Sequence, residues 1–261
     1  MISYVLPTRN RPDVLRATLR AIERLGPHPG GAEVIVVDNA SGVPVRLERS
    51  LRSGVSVEVV RRPTNEGAAA RNLGVLRADP ASEWIVMLDD DSAPLDLSFV
   101  SALAAMPREV GAVSADIFLG ELDDDARAVL RGREQGGLPE VFIGCGVALR
   151  RTAFTALGGY DAAFGYYAEE YDLAARLMLS GMRTVFEPRF RVLHRKVSAG
   201  RDMNTILARL VRNNAWVLQR YAPESERRDA LRAMRRRYRA IAHKEGAIAG
   251  FGEGLRETRE T

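Results

Sequence analysis

Short apolar runs alternate with amphipathic stretches over the first 120 residues, the pattern of βα units built around a mostly parallel sheet. It predicts strands at 2–6, 33–38, 55–60, 84–88 and 110–115. Between them, 12–25 and 66–78 carry the helical period, and in the first of these Val14, Leu15, Leu19, Ile22 and Leu25 share one face. The run GPHPGG at 26–31 and the pair Asp79-Pro80 mark joins. Beyond that the rhythm loosens. A charged, glycine-containing stretch at 117–140 reads as a surface excursion, followed by a strand at 141–149, a Gly158-Gly159 turn, a helix at 170–180 and strands at 183–187 and 190–194. Two helices, 202–221 and 224–246, are separated by Pro223. The expected class is α/β with a helical C-terminal extension.

The chain has 261 residues, 46% hydrophobic and 28% charged, which supports a sizeable core and excludes general disorder. No run approaches the ~18 to 20 apolar residues of a membrane span, and the N-terminus turns polar too early for a signal peptide, so a soluble cytoplasmic protein is expected. One cysteine and three histidines argue against a structural zinc site. The net charge of +4 is unevenly placed: residues 1–200 carry 24 basic and 26 acidic side chains, residues 201–261 carry 14 and 8.

In an open α/β sheet a ligand binds past the carboxyl ends of the strands. Here those ends are polar: Pro7-Thr8-Arg9-Asn10-Arg11 after the first strand, Asp38-Asn39-Ala40-Ser41 after the second, Asp89-Asp90-Asp91 after the fourth. No G-x-G-x-x-G follows the first strand and no P-loop occurs, so phosphate is not cradled by a glycine-rich backbone. Asp89 and Asp91, two apart on an extended segment, can instead present carboxylates to Mg2+ or Mn2+, with a diphosphate completing the coordination; a solvated acidic turn is the plain alternative. Asp38 suits either a turn or the imide N–H of a uracil or thymine ring. Small residues at 67–70 let a helix approach closely, and Arg71, which follows, suits a base carbonyl or a phosphate.

The ordered series PTRNRP, VIVVDNAS, NEGAAARN, VMLDDDSAP, GCGVALRR, GGYDAAFG and AEEYDL resembles family 2 glycosyltransferases of the GT-A fold, over about residues 1–195. The resemblance implies a catalytic unit at 1–200, with a nucleotide-sugar half at about 1–115 and an acceptor half at about 116–200, and a basic helical extension at 201–261 packed on it. It implies an inverting, metal-dependent transfer from a nucleoside-diphosphate sugar, UDP favoured over dTDP, to a hydroxyl of a small molecule or saccharide. Pro7, Thr8, Arg9, Asp38, Asn65, Arg71, Asp89 and Asp90 match positions that hold the nucleotide. Asp91, with Asp89 and His194, matches the DxD-type metal site for Mn2+ or Mg2+.

Inversion needs a base on the acceptor hydroxyl, and Glu169-Glu170 occupies the position of the family's acidic pair, Glu170 matching the base itself. Acids in a first helical turn also simply favour the helix dipole. Cys145 reads as a small packing residue. Most of the basic tail reads as amphipathic helix, with Arg235-Arg236-Arg237 a place for peripheral contact with a membrane surface; no nucleic-acid partner is expected. The competing readings are a sugar-phosphate nucleotidyltransferase, whose glycine-rich basic loop is missing where 7–12 reads PTRNRP, and a non-enzymatic binder of anionic surfaces.

Overall fold

The computed structural model describes residues 1–120, 141–196 and 202–258. In chain order the elements are β1 (Ile2–Thr8), α1 (Pro12–Arg24), β2 (Ala32–Asn39), β3 (Ser56–Arg62), α2 (Ala70–Arg77), β4 (Trp84–Met87), β5 (Ser92–Pro94), α3 (Ser98–Ala104), β6 (Val110–Leu119), β7 (Val147–Arg150), α4 (Arg151–Ala156), α5 (Glu169–Leu179), β8 (Arg183–His194), α6 (Met203–Tyr221), α7 (Glu224–Lys244) and α8 (Ile248–Glu257). The strands form one sheet in the order β3-β2-β1-β4-β7-β6-β8-β5. The β1–β2, β1–β4, β2–β3 and β6–β8 pairs are parallel; β7 runs antiparallel to both β4 and β6, and β5 antiparallel to β8.

The pleat sends alternate residues to opposite faces, and both faces are covered. Tyr4, Leu6, Val34, Val36 and Val86 join Leu15, Leu19 and Ile22 of α1 on one side. Val5, Ile35, Val37, Ile85 and Met87 join the residues of α2, α4 and α5 on the other. Pro12 at the first helical position and Asp13 in the first turn start α1 where the polar end of β1 leaves the sheet. Gly74 brings α2 close to the sheet: a Cβ there would lie 2.5 Å from Val5 Cγ1.

Several expected boundaries change. The helix at 66–78 opens as a 3-10 turn, Gly67–Ala69, before α2. The strand at 141–149 contracts to β7, because the segment around Gly144 and Gly146 loops. The two strands at 183–187 and 190–194 are one, β8, interrupted by a bulge: Ala115 pairs with Glu187 while Asp116 pairs with Arg191, and Pro188 within the extra segment has no N–H to donate. Of the surface excursion at 117–140, residues 117–119 finish β6 and 121–140 lie outside the described residues. The division at 115/116 falls inside β6.

The helices α6, α7 and α8 enclose their own apolar cluster of Leu207, Val211, Ala215, Met234, Tyr238 and Ala242. Asn213 of α6 is fully buried and its Nδ2 donates to the carbonyls of Phe164, Tyr166 and Tyr167 at 2.8, 2.9 and 2.6 Å. Arg220 pairs with Asp161 and Asp172, both at 2.9 Å, and the Tyr221 hydroxyl donates to Asp172 at 2.7 Å. Among the described residues no helix is long and apolar enough to cross a membrane.

Candidate active site

Two side chains from the end of β1 and the start of α1 seize the acidic triplet that follows β4. Thr8 Oγ1 donates to Asp90 Oδ2 at 2.7 Å, and Arg11 reaches both Asp90 Oδ1 at 2.6 Å and Asp91 Oδ2 at 3.0 Å. The backbone is fixed too: Thr18 Oγ1 donates to the Asp90 carbonyl at 2.5 Å, and the Arg195 N–H donates to the Asp91 carbonyl at 3.0 Å. Asp90 and Asp91 are thereby buried, while the Asp89 side chain keeps 37% of its exposure and pairs with buried Arg71. Burial, reinforced by Asp91 and Asp89, lifts Asp90 to about 6 despite its hydrogen bonds. Burial also opposes ionisation of Asp91, but His194 and Arg11 outweigh it and hold that carboxyl below the usual range.

His194, the last residue of β8, stands between this triplet and the loop before β7. Its Nε2 lies 3.2 Å from Asp91 Oδ1 and its Nδ1 lies 3.5 Å from Cys145 Sγ. One ligand atom each of Asp89, Cys145 and His194 falls within 4.8 Å of the others. The carboxylate of Asp89 and the imidazole of His194 form a donor set that fits a divalent ion of the Mn2+ kind.

Across the cleft, α5 delivers the acidic pair. It is entered through Tyr167 and Ala168, both at positive φ (75° and 63°), a backbone path that non-glycine residues adopt at a cost. Glu169 is 5% exposed and its Oε2 has no hydrogen-bond partner among the described residues. Glu170 Oε1 accepts the Gly144 N–H at 3.3 Å, and a Cβ on Gly144 would sit 3.0 Å from that oxygen. Burial raises both carboxyls above the ordinary range, Glu169 further through the charge of Glu170. The result is a cleft of about 400 Å³ bordered by Arg71, Asp89, Glu169, Glu170 and His194, with Gly144, Cys145 and Tyr166 among its other walls.

The remaining expected nucleotide residues lie outside that lining. Pro7 and Thr8 are buried in or at the end of β1. Asp38 is 1% exposed and ties down its own loop, accepting from the Ser41 and Val45 N–H groups at 2.9 and 3.1 Å and from Arg61 at 2.8 Å. Asn65 Oδ1 accepts the Gly67 N–H at 3.1 Å, and Arg9 is exposed, its Nε 3.5 Å from the Ala40 carbonyl. Arg11, Thr18, Asn39 and Cys145 carry more of the architecture than their sequence context signals. Asn39 alone accepts the Glu66 N–H and donates to the Gly67 carbonyl, at 2.9 and 3.1 Å, which fixes the turn leading to Arg71.

This strand order, with an acidic triplet after β4 and an acidic pair opening α5, coincides with a match of residues 3–157 to the family described as Glycosyl transferase family 2. The chain belongs to glycosyltransferase family 2. It is 28% identical over 208 residues to a pre-mycofactocin glycosyltransferase of Mycobacterium tuberculosis, covering 74% of this chain and 42% of that protein. To the O-antigen biosynthesis protein RfbC of Myxococcus xanthus it is 27% identical over 235 residues, 78% of this chain and 18% of the relative. The chain thus spans less than half the length of these curated relatives. Among solved structures it superposes on GalNAc-T7 crystallised with UDP, GalNAc and Mn2+ (TM-score 0.65, 18% identity, 92% of this chain and 51% of that one). It likewise superposes on residues 1–349 of S. aureus TarS in complex with UDP (TM-score 0.61, 15% identity, 94% and 73%). The family 2 glycosyltransferase has the GT-A fold expected of it.

Proposed function

We propose that this chain transfers a sugar from a nucleoside-diphosphate donor to an acceptor hydroxyl by direct displacement, inverting the anomeric centre. The observation that carries the reading is the pairing, across one cleft, of Glu169 and Glu170 with Asp89, Arg71 and His194. Glu170 stands where a base takes the acceptor proton, and its raised proton affinity suits that task. Arg71, buried and cationic, steers the diphosphate. Asp89 and His194 would hold a divalent ion; when bound, it supplies positive charge against the charge growing on the departing diphosphate. Asp91, expected from sequence as a direct ligand, lies 3.2 Å from His194 Nε2 and 3.0 Å from Arg11, and would join Asp89 and His194 in that set.

UDP leads as the nucleotide, with dTDP second, because Asp38 and Arg71 suit a pyrimidine ring; structures of the same fold hold UDP or UDP-GlcNAc in one case and GDP-Man in another. The acceptor is a hydroxyl on a small molecule or saccharide, and the exposed arginines of α7, Arg235, Arg236 and Arg237, suit peripheral contact with an anionic surface. The test is donor hydrolysis and transfer with a panel of UDP-, dTDP- and GDP-sugars, with and without Mn2+. Metal-dependent release of one nucleoside diphosphate supports the reading; no release or binding across the panel overturns it.

A further inference from the structure

The lining of the cleft is divided in character. Its charged members, Arg71, Asp89, Glu169, Glu170 and His194, are spoken for by the donor and the acidic pair, and the rest of the described lining carries no charge. Leu119, Ile143, Tyr167, Tyr171 and Leu210 belong to that uncharged part. Tyr171 and Leu119 are 45% and 37% exposed, large side chains left open to solvent at a cleft rather than packed into the core. Tyr167 and Tyr171 stand on either side of the acidic pair, at the entry and in the first turn of α5, whereas Leu210 arrives from α6 in the C-terminal extension. Three residues on, on the same face of α6, Asn213 holds the carbonyls of Tyr166 and Tyr167 at 2.9 and 2.6 Å. One helix face therefore supplies a member of the wall and fixes the backbone of its tyrosines. A saccharide brings hydroxyls on every side, and each that leaves water needs a partner. The side chains of Leu119, Ile143 and Leu210 offer none, while tyrosine rings present broad faces to a flat apolar body.

We infer that the acceptor carries its hydroxyl on a flat apolar body, as an aryl alcohol does, and that α6 of the C-terminal extension completes its binding wall through Leu210. The inference rests on the reading that Glu170 takes the proton of an acceptor hydroxyl in this cleft. The apolar body gains by leaving water, and the hydroxyl is the one polar group that has to reach a carboxylate. The wall thus selects the class of acceptor, and Glu170 the atom that reacts.

The test measures binding of 2-naphthol and 4-butylphenol to the full chain, against methyl β-glucoside and maltotriose, by saturation-transfer NMR and calorimetry; UDP with Mn2+ is titrated separately into the same samples. The two aryl alcohols are expected to bind saturably at one site, at least about 10-fold tighter than either saccharide. Leu210→Ser and Tyr171→Ser should each weaken that binding about 10-fold. Leu179→Ser, at an exposed apolar residue of α5 outside the cleft lining, should leave it as it is. Tyr171 is exposed enough to be changed without opening the core, so it decides the matter even if Leu210→Ser fails to fold. Equal or tighter binding of the saccharides, no saturable binding of the aryl alcohols, or binding that Tyr171→Ser and Leu210→Ser both leave intact overturns the inference. A chain that binds UDP and maltotriose but neither aryl alcohol loses the apolar acceptor and keeps the transferase reading. One that binds the aryl alcohols and no nucleotide does the reverse.

Discussion

Gly67 and Gly165 meet backbone to backbone. The Ala68 N–H donates to the Gly165 carbonyl at 2.7 Å, and a Cβ on Gly67 would lie 2.1 Å from that same oxygen. This contact joins the turn that carries Arg71 to the loop that leads into Glu169. With φ at +60°, Gly67 is also in the left-handed region. Gly67→Ala should therefore destabilise the protein by ~2 to 4 kcal/mol, adding a conformational cost to a steric one. Gly158→Ala is the control, since Gly158 has φ +79° and open space around its Cβ direction; it should cost only ~1 to 2 kcal/mol. Urea midpoints compare the two, and equal losses would remove the steric part of the argument.

Asn213 should matter well beyond its distance from the cleft. Asn213→Ala removes a donor from three carbonyls, of which that of Phe164 keeps Arg212, and is expected to cost ~1 to 3 kcal/mol in unfolding experiments. Because those carbonyls shape the positive-φ entry to α5, kcat should fall while donor affinity holds. A variant with lowered stability and unchanged kcat would confine Asn213 to packing.

Glu170→Gln should lower turnover by ~10²-fold or more with donor binding intact, and Glu169→Gln should lower it less. A base works only when ionised, and burial raises the proton affinity of Glu170. Turnover should accordingly rise with pH through a value above the ordinary carboxylate range and fall away below it. The limb should vanish in Glu170→Gln. A pH profile that stays the same in Glu170→Gln and shifts in Glu169→Gln would move the base one residue back.

Asp38 gives a stability prediction with a definite sign. Burial opposes its ionisation, but the hydrogen bonds from Ser41 and Val45 and the charge of Arg61 prevail and hold it below the usual range. A depressed folded-state value means stability that is present above the unfolded value of ~3.9 and is lost as pH falls through the folded one. Asp38→Asn should thus be destabilised at neutral pH, with the gap to the wild type closing on acidification. If Asp38 also receives a pyrimidine imide, calorimetry will show nucleotide affinity weakened by ~1 to 3 kcal/mol; unchanged affinity would leave it an organiser of its loop alone.

Sequence patterning exposed most of the sheet because β1, β2 and β4 are near-continuous apolar runs that end in polar residues. It missed elements too short to show a period: β5 has three residues, α3 seven and α4 six. It also missed α8, whose IAGFGEGLRE reads as broken by glycine. In the fold those glycines permit contact, since a Cβ on Gly250 would lie 2.1 Å from the Asn204 carbonyl oxygen and one on Gly254 2.5 Å from that of Ala208. The acidic triplet and the acidic pair were legible as motifs. How each member is held was not, because exposure separates Asp89 from Asp90 and Asp91, and Arg11 and His194 reach the triplet from the start of α1 and the end of β8. Cys145 had no local signal at all; its neighbour His194 is 49 residues away.

The strand order has a consequence for exchanging parts between relatives. β7, from late in the chain, is laid beside β4, while β5, from early in the chain, closes the far edge against β8. A crossover at residue 115 would cut β6 in two and hand β5 a stranger for a partner. Chimeras built on that boundary inherit broken hydrogen-bond ladders whatever their chemistry. Grafts confined to the segments 141–146 and 158–168 leave every strand ladder whole, so these loops can be exchanged while the sheet is inherited in one piece.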